Sequence, residues 1–443
     1  MREMKDSGVE WIGKIPKDWE IARIKNVTHR IIVGLATSVT QYYRENGTPI
    51  LRNTNIYQYK LDDSDVLYLD PYWASKQFSK LIHTNDILTV HTGYIGESCL
   101  VPPKYNNCLT FTTLVSTANQ EKILPKYLMC EINSSIGKSK IYFTTDTGAQ
   151  NNLNVSDFAN LEIVVPAIKE QERILNYLDS RSFDINKMIA DIQSEIDMLE
   201  KYKRSVITEA VTKGLDKDVE MKDSGIEWIG KIPYTWNVGK IKFYVDKVGS
   251  GKTPKGDEKL YTQGEIFFLR SQNIFDTGIV LDEEPTVITD AIDAEMANTR
   301  VLFDDVLLNI TGGSIGRCCI YKFKNRANVN QHVCIIRTKK DKILPAYMHY
   351  FWISNLGQTA INLYQTGGNR EGMSADAIKN TPIPIMSIQE QKDIVQYLDD
   401  KCSNIDIAVS QKQEQLNILN DYKKSLIYEY VTGKKEVPSS WQN

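Results

Sequence analysis

The sequence predicts a mixed α/β protein: two pseudo-repeated globular α/β domains joined by two long helices that form an antiparallel coiled coil. Three observations predict it. The first is a heptad seam. Ile185, Ile192, Leu199 and Val206 fall seven apart, and Ile189, Ile196, Lys203 and Ala210 form a second such series four residues behind. That alternation makes a narrow apolar stripe, which a helix hides only against another helix. The second observation is the return of the seam 220 residues later, as Ile405, Lys412, Leu419 and Leu426 with Val409, Leu416, Lys423 and Tyr430. Even the breach at Lys203 recurs at Lys423, so the simplest partner for each helix is its own copy. Ordinary bundle core would explain one such stripe; length and duplication favour a spanning pair. The third is a near-identical repeat outside the helices. Residues 3–19, EMKDSGVEWIGKIPKDW, return at 220–236 as EMKDSGIEWIGKIPYTW, with fourteen of seventeen positions identical. A repeat of this period decides the organisation of a chain before any single element does.

A chain of 443 residues is long enough for two or three domains, each with its own core. No apolar run approaches the roughly eighteen residues needed to cross a bilayer. The start, Met1-Arg2-Glu3-Met4-Lys5-Asp6, is charged and lacks the apolar stretch of a signal peptide. The seven cysteines are odd in number and unpatterned, and the adjacent Cys318 and Cys319 suit neither a zinc knuckle nor an easy disulfide. A reducing, cytoplasmic setting is expected. The net charge of −3 gives no global basic field, so nucleic-acid binding would rest on local patches or a partner subunit.

Taken in order, residues 1–165 read as a strap plus a first domain and 166–214 as the first long helix. Residues 215–385 repeat the strap and domain, 386–434 the helix, and 435–443 form a tail. Gly8, Gly13 and Pro16 punctuate the strap, which predicts turns rather than a regular element. Trp11 and Trp19, with their copies Trp228 and Trp236, read as anchors on a neighbouring surface. The domains share landmarks but differ in detail. Leu51-Arg52-x-x-Asn55-Ile56 answers Leu269-Arg270-x-x-Asn273-Ile274. Thr92-Gly93-Tyr94-Ile95-Gly96 answers Thr311-Gly312-Gly313-Ser314-Ile315-Gly316, and the turn Thr147-Gly148 answers Thr366-Gly367. Runs such as Ile87 to Val90, Ile266 to Leu269, Val306 to Ile310 and Val333 to Arg337 read as strands. Pro125 and Pro345 each open a helix at its first position. The long helices enter through Ile168-x-Glu170-Gln171 and Ile388-x-Glu390-Gln391 and stop at Gly214 and Gly433. In the tail, Val437-Pro438-x-x-Trp441 echoes Ile15-Pro16-x-x-Trp19, as though a third repeat were beginning.

Catalytic patterns are missing. Val248-Gly249-Ser250-Gly251-Lys252-Thr253 resembles half of a phosphate loop, but Asp246 stands where the first glycine belongs and Pro254 follows at once. Asp70-Pro71-Tyr72 lacks the second proline of an amino-methyltransferase signature. His29, His83, His91, His332 and His349 have no metal-ligand spacing, so no metal site is expected. No nucleophile, base and orienting group stand at informative spacing. A binding chain is favoured over an enzyme.

The doubled plan resembles the DNA specificity subunits of type I restriction-modification systems. The strap and its copy, the two Thr-Gly turns, the Glu-Gln helix entries and the helix ends EAVTKG and EYVTGK carry the resemblance, which covers essentially the whole chain. It implies a non-catalytic subunit whose two variable regions are target recognition domains, each reading one half of a split site in double-stranded DNA. It implies that the helices separate the readers and dock two modification subunits, with restriction (motor-nuclease) subunits joining where cleavage occurs. No cofactor is expected in this chain; S-adenosylmethionine belongs to the modification subunits. The helix entries and exits, Glu170, Gln171, Tyr202, Glu390, Gln391 and Tyr422, are then the partner-binding candidates.

Residues common to both domains cannot encode a difference between half-sites; they build the fold or contact phosphate, which is blind to sequence. Arg52 and Arg270, Thr147 and Thr366, and the paired glycines fall here, and Asn55 and Asn273 are counted among the DNA contacts. Base readers should be polar residues in equivalent loops where the copies differ. In the first domain these are Thr37, Ser38, Gln41, Tyr42, His91, Tyr94, Gln150, Asn151 and Asn152. In the second they are Lys252, Thr253, Lys255, Ser271, Gln272, Ser314, Arg317, Asn369 and Arg370. Asn and Gln bond adenine in a bidentate way, and Arg or Lys bonds guanine. Turn chemistry also explains such Asn and Gly runs. The alternative reading is a coiled-coil adaptor without DNA-reading activity; it leaves two divergent α/β domains inside near-identical straps unexplained.

Overall fold

The structure is a computed structural model describing residues 2–57, 59–144, 152–254, 264–365 and 372–441. The chain divides into two compact units, Met1–Ile192 with Glu414–Asn443, and Gln193–Gln413. Each unit therefore takes one α/β domain and a part of each long helix.

In the first unit the strap is a small hairpin, with Met4–Asp6 antiparallel to Lys14–Pro16. The sequence reading of turns alone is corrected here: the glycines sit in the bend, Gly8 at φ +75 and Gly13 at φ +65, which leaves the flanking residues free to pair. Trp19 is buried, but Trp11 is 54 % exposed, so only one of the two tryptophans is an anchor.

The domain that follows carries two four-stranded sheets. One is antiparallel, in the order Ser98–Leu100, Ile87–Val90, Thr113–Ala118, Thr28–Val33. The other runs Leu109–Phe111, Thr48–Arg52, Leu67–Leu69, Tyr43–Arg44, with the first two strands parallel. Side chains of a strand alternate between its faces. Ile87 and Leu114 therefore join Tyr127, Leu128 and Ile132 of the helix Pro125–Asn133. Leu88 and Val115 point the other way, into a separate core with Leu51, Ile56 and Cys99. Glu162–Val165 then pairs antiparallel with Glu20–Arg23 and delivers the chain to the first long helix, Ile168–Lys213.

Within this unit that helix meets the end of the second long helix, Ile388–Val431. Tyr177 packs on Tyr430 at 4.8 Å between ring centroids, and Lys423 Nζ donates to Asn186 Oδ1 at 2.8 Å. Ascending one helix descends the other, so the pair is antiparallel. The seam residues Ile185, Leu426 and Tyr430 are buried, as the heptads require. The Tyr127 hydroxyl donates to Val431 O at 2.7 Å, which satisfies one of the carbonyls a helix end leaves open. Gly433 stops the helix at φ +70, and a Cβ there would lie 2.5 Å from Pro16 Cδ. The glycine thus serves both the left-handed turn and the close approach of the strap.

The tail completes the unit. Val437 is buried in its core, and Trp441 stands edge-on to Tyr177 at 5.6 Å. Trp441 N donates to Pro438 O at 3.0 Å, the same turn that Trp19 makes with Pro16 at 3.0 Å. The sequence echo is therefore also a structural one.

The second unit repeats the plan. Its strap pairs Met221–Asp223 with Lys231–Pro233. Its sheets run Val245–Ser250, Val333–Thr338, Val306–Asn309, Cys318–Ile320, and Val287–Ile288, Ile266–Leu269, Ala327–Val329, Arg300–Val301. Trp236 is buried and donates from Nε1 to Glu390 Oε1 at 2.8 Å. The helices again run antiparallel: Lys412 pairs with Glu195, and Lys203 with Asp406 at 2.7 Å. Lys203 and Lys423 do break the seam, but each reaches across to the opposite helix instead of extending to solvent. All seven cysteines are buried and unpaired. Among the described residues no helix is long and apolar enough to cross a membrane.

Candidate nucleic-acid interface

One end of the antiparallel sheet gathers most of the candidate readers. In the first unit, Val33 and Val90 are strand ends and Thr113 is a strand start, and ladder pairing sets Val90 beside Thr113 and Leu114 beside Val33. The segments beyond them, 34–38, 91–96 and 111–112, therefore emerge from the same edge. The parallel pairing of Phe111 with Arg52 brings the 53–55 turn there too. Asn53 Nδ2 donates to Thr92 O at 3.2 Å, and the Thr92 hydroxyl donates to Asn152 Oδ1 at 3.0 Å. Gly93 and Gly96, at φ +90 and +86, make the turn that leaves Tyr94 85 % exposed at its tip. His91 sits behind it, half-buried, with Nε2 free of protein partners. Burial holds its imidazole below the ordinary pKa, so the ring is neutral near pH 7.

The second unit builds the same edge with other side chains. Ser250, Asn309 and Val333 end or begin its strands, and the segments 251–254, 310–316 and 330–332 leave from them. Asn309 Nδ2 donates to Ser271 O at 2.8 Å and to Ser314 Oγ at 3.1 Å. The Arg317 guanidinium lies 4.7 Å from the centre of the Phe275 ring. Lys252 and Thr253 are exposed. Gly251 has a packing reason: a Cβ would lie 1.9 Å from Val329 O, as one on Gly34 would lie 2.5 Å from Thr110 O. The resemblance of this stretch to a phosphate loop follows from that crossing of strands. Asp70 likewise caps a helix, accepting from Trp73 N at 2.9 Å ahead of Pro71.

Several sequence expectations are corrected by burial. Asn55 and Asn273, expected at the DNA, are buried turn-builders. Asn55 Oδ1 accepts from Arg52 N at 2.8 Å, and Asn273 Oδ1 accepts from Arg270 N at 3.0 Å. Arg52 and Arg270 are tied to Asp65 at 2.7 Å and Asp282 at 3.6 Å, so neither guanidinium waits unpaired for phosphate. Tyr42 stacks on Trp73 at 4.3 Å. Gln171 and Gln391, expected to face a partner, are fully buried. Gln171 Oε1 accepts from Leu124 N at 2.8 Å while its Nε2 donates to Lys122 O and Pro166 O. Gln391 makes the same three bonds to Leu344, Lys342 and Met386. Each glutamine pins the start of a long helix to the domain before it. Glu170 is engaged by Arg2 at 3.0 Å and Glu390 by Trp236, whereas Tyr202 and Tyr422 are exposed. Thr37 and Ser38 are exposed beyond Gly34. Gln150, Asn151, Lys255, Asn369 and Arg370, with both Thr-Gly turns, lie outside the described residues.

The sequence reading passed over Gln331 and weighed His332 only as a metal ligand. The signal was a length difference. From Thr110 and Val329, whose carbonyls lie against Gly34 and Gly251, to the matching strand starts Thr113 and Val333, the first unit has Phe111 and Thr112 while the second has Asn330, Gln331 and His332.

Comparison with known proteins agrees with this doubled architecture. The family described as type I restriction modification DNA specificity domain matches residues 16–198 and again 233–417. The chain belongs to that family. It is 24 % identical over 443 residues to the putative type I restriction enzyme MjaX specificity subunit of Methanocaldococcus jannaschii, with 96 % of each chain covered. It is 22 % identical to the type I restriction enzyme StySPI specificity subunit of Salmonella potsdam, over 97 % of this chain and 91 % of that one. A chain solved in work on complex assembly and conformational transition of the type I R-M system shares the fold, with a TM-score of 0.67 at 15 % identity over 95 % of this chain and 99 % of that one.

Proposed function

We propose that this chain is the non-catalytic specificity subunit of a type I restriction-modification complex, each unit reading one part of a split target in double-stranded DNA. The observation that carries this is the shared sheet edge. Both units present three equivalent segments from the same strand ends, yet furnish them with different side chains: Thr37, Ser38, His91 and Tyr94 in one, Lys252, Thr253 and Ser314 in the other. A constant scaffold with variable polar tips is what two different base sequences require. The chain docks two modification subunits, which bind S-adenosylmethionine and methylate adenine; restriction subunits join that complex where cleavage occurs. Among the described residues each unit has an exposed apolar pair at helical i, i+4 spacing on a long helix, Met198 with Tyr202 and Ile418 with Tyr422, which supports two equivalent docking places. The helices set the spacing between half-sites. Co-expression with the modification subunit, followed by mapping of methylated adenines, tests the reading: a split motif is expected. A continuous motif or no methylation would refute it.

A further inference from the structure

The link that runs one residue longer in the second unit than in the first at the sheet edge is held in place before any ligand arrives. Gln331 is exposed, yet its Oε1 accepts from the Thr253 hydroxyl and its Nε2 contacts His332 Nε2 at 3.2 Å. A glutamine amide nitrogen only donates, so His332 Nε2 is the acceptor and the ring proton sits on Nδ1. From there it faces the Thr311 hydroxyl. His332 N in turn donates to Asn330 Oδ1 at 3.2 Å. Side chains from three separate segments thus fix the plane of one exposed amide.

Ordering a free glutamine on binding costs rotamer freedom. Here much of that freedom is already gone. The amide has two donor hydrogens and two acceptor lone pairs, and the network uses one of each. One donor and one acceptor remain, the pair that complements N7 and N6 of adenine in the major groove. In the first unit the equivalent link offers Phe111 and Thr112, and the Thr112 hydroxyl donates to Phe111 O at 2.8 Å. We propose that Gln331 reads an adenine in the half-site of the second unit, with His332 and Thr253 as positioning residues. This rests on the reading of that unit as a DNA reader.

The test is methylation mapping of the complete complex. Gln331→Ala should relax one adenine-bearing position of one half-site, with discrimination falling about tenfold to a hundredfold, and leave the other half-site intact. Gln331→Glu should shift preference at that position toward cytosine, whose N4 donates. His332→Phe should weaken discrimination at the same position, and His332→Gln, which restores an acceptor, should rescue it. A wild-type complex that yields no split motif overturns both the DNA reading and the role of Gln331. A wild-type split motif that Gln331→Ala leaves unchanged, or that degrades equally in both halves, overturns the role of Gln331 alone.

Discussion

Replacing Gln171 with alanine should destabilise the first unit by about 4 kcal/mol. The side chain is fully buried and makes three hydrogen bonds, to Leu124 N at 2.8 Å, Lys122 O at 3.0 Å and Pro166 O at 2.8 Å. Each is worth roughly 1 kcal/mol net, and truncation leaves buried backbone groups without partners, at about 1–3 kcal/mol for each that water cannot reach. Gln171→Glu isolates the cause. It preserves size and an acceptor for Leu124 N, but it turns a carboxylate oxygen toward two carbonyls, so it should be as damaging as alanine. Hydrogen exchange read by mass spectrometry, unit by unit, is the assay. Protection should fall across 122–128 and 166–178 and stay unchanged in 193–413. The reasoning fails if Gln171→Ala stays within about 1 kcal/mol of wild type and yet the complex with the modification subunit no longer forms. That result would return the residue to the partner surface.

Glu131 is buried, and burial raises its carboxyl to about 7 from 4.5, with the Lys140 charge and the Val164 N–H pulling the other way. The folded chain therefore holds that proton more tightly than the unfolded one. Stability from this group is greatest below about pH 4.5 and is lost as pH rises toward 7, by about 3 kcal/mol. Glu131→Gln should accordingly gain on wild type between pH 5 and pH 8 in urea midpoint; a difference flat with pH refutes it. The second unit, with Phe351 and Ala360 at the matching positions, lacks the effect. Gly433→Ala places a Cβ 2.5 Å from Pro16 Cδ at φ +70 and should cost about 2–3 kcal/mol. Gly225→Ala, at φ +75 with nothing within 4 Å, should cost about 1 kcal/mol in the same thermal melts. A double-mutant cycle on Lys203 and Asp406, a partly exposed pair at 2.7 Å, should return less than about 1 kcal/mol of coupling.

What the sequence disclosed was local and periodic. The heptads placed Ile185, Ile196, Leu416 and Leu426 in the seam because a stripe at 3.5-residue spacing has one place to go, and all four are buried. Pro125 and Pro345 opened helices because their fixed φ suits that position. Tertiary facts were not legible. Trp11 and Trp19 look alike in the strap, and only packing decides that one is buried and the other exposed. Gln171, a polar residue in the first turn of a helix, reads as exposed until the domain before it folds back over that turn. Arg52 looked like a phosphate contact because Asp65, its partner, lies thirteen residues away in a segment with no pattern of its own. Gln331 was hidden by alignment on shared landmarks, which draws attention to matched residues and away from an unmatched length.

The division of the chain into units has a consequence for its birth. The second unit, Gln193–Gln413, is continuous and has all its parts once residue 413 is made. The first is interrupted: it lacks Tyr430, Val431 and Val437 of its core until those residues are synthesised. The half that leaves the ribosome first is thus the half that closes last, with a loop of more than two hundred residues to close before those contacts form. Closure brings Lys434 Nζ to the strap, where it donates to Ile12 O at 2.5 Å and Lys14 O at 2.6 Å. A stop codon just before residue 414 would leave the downstream unit whole and strip the upstream one of its share of the second long helix, so the damage falls on the domain encoded farther from it.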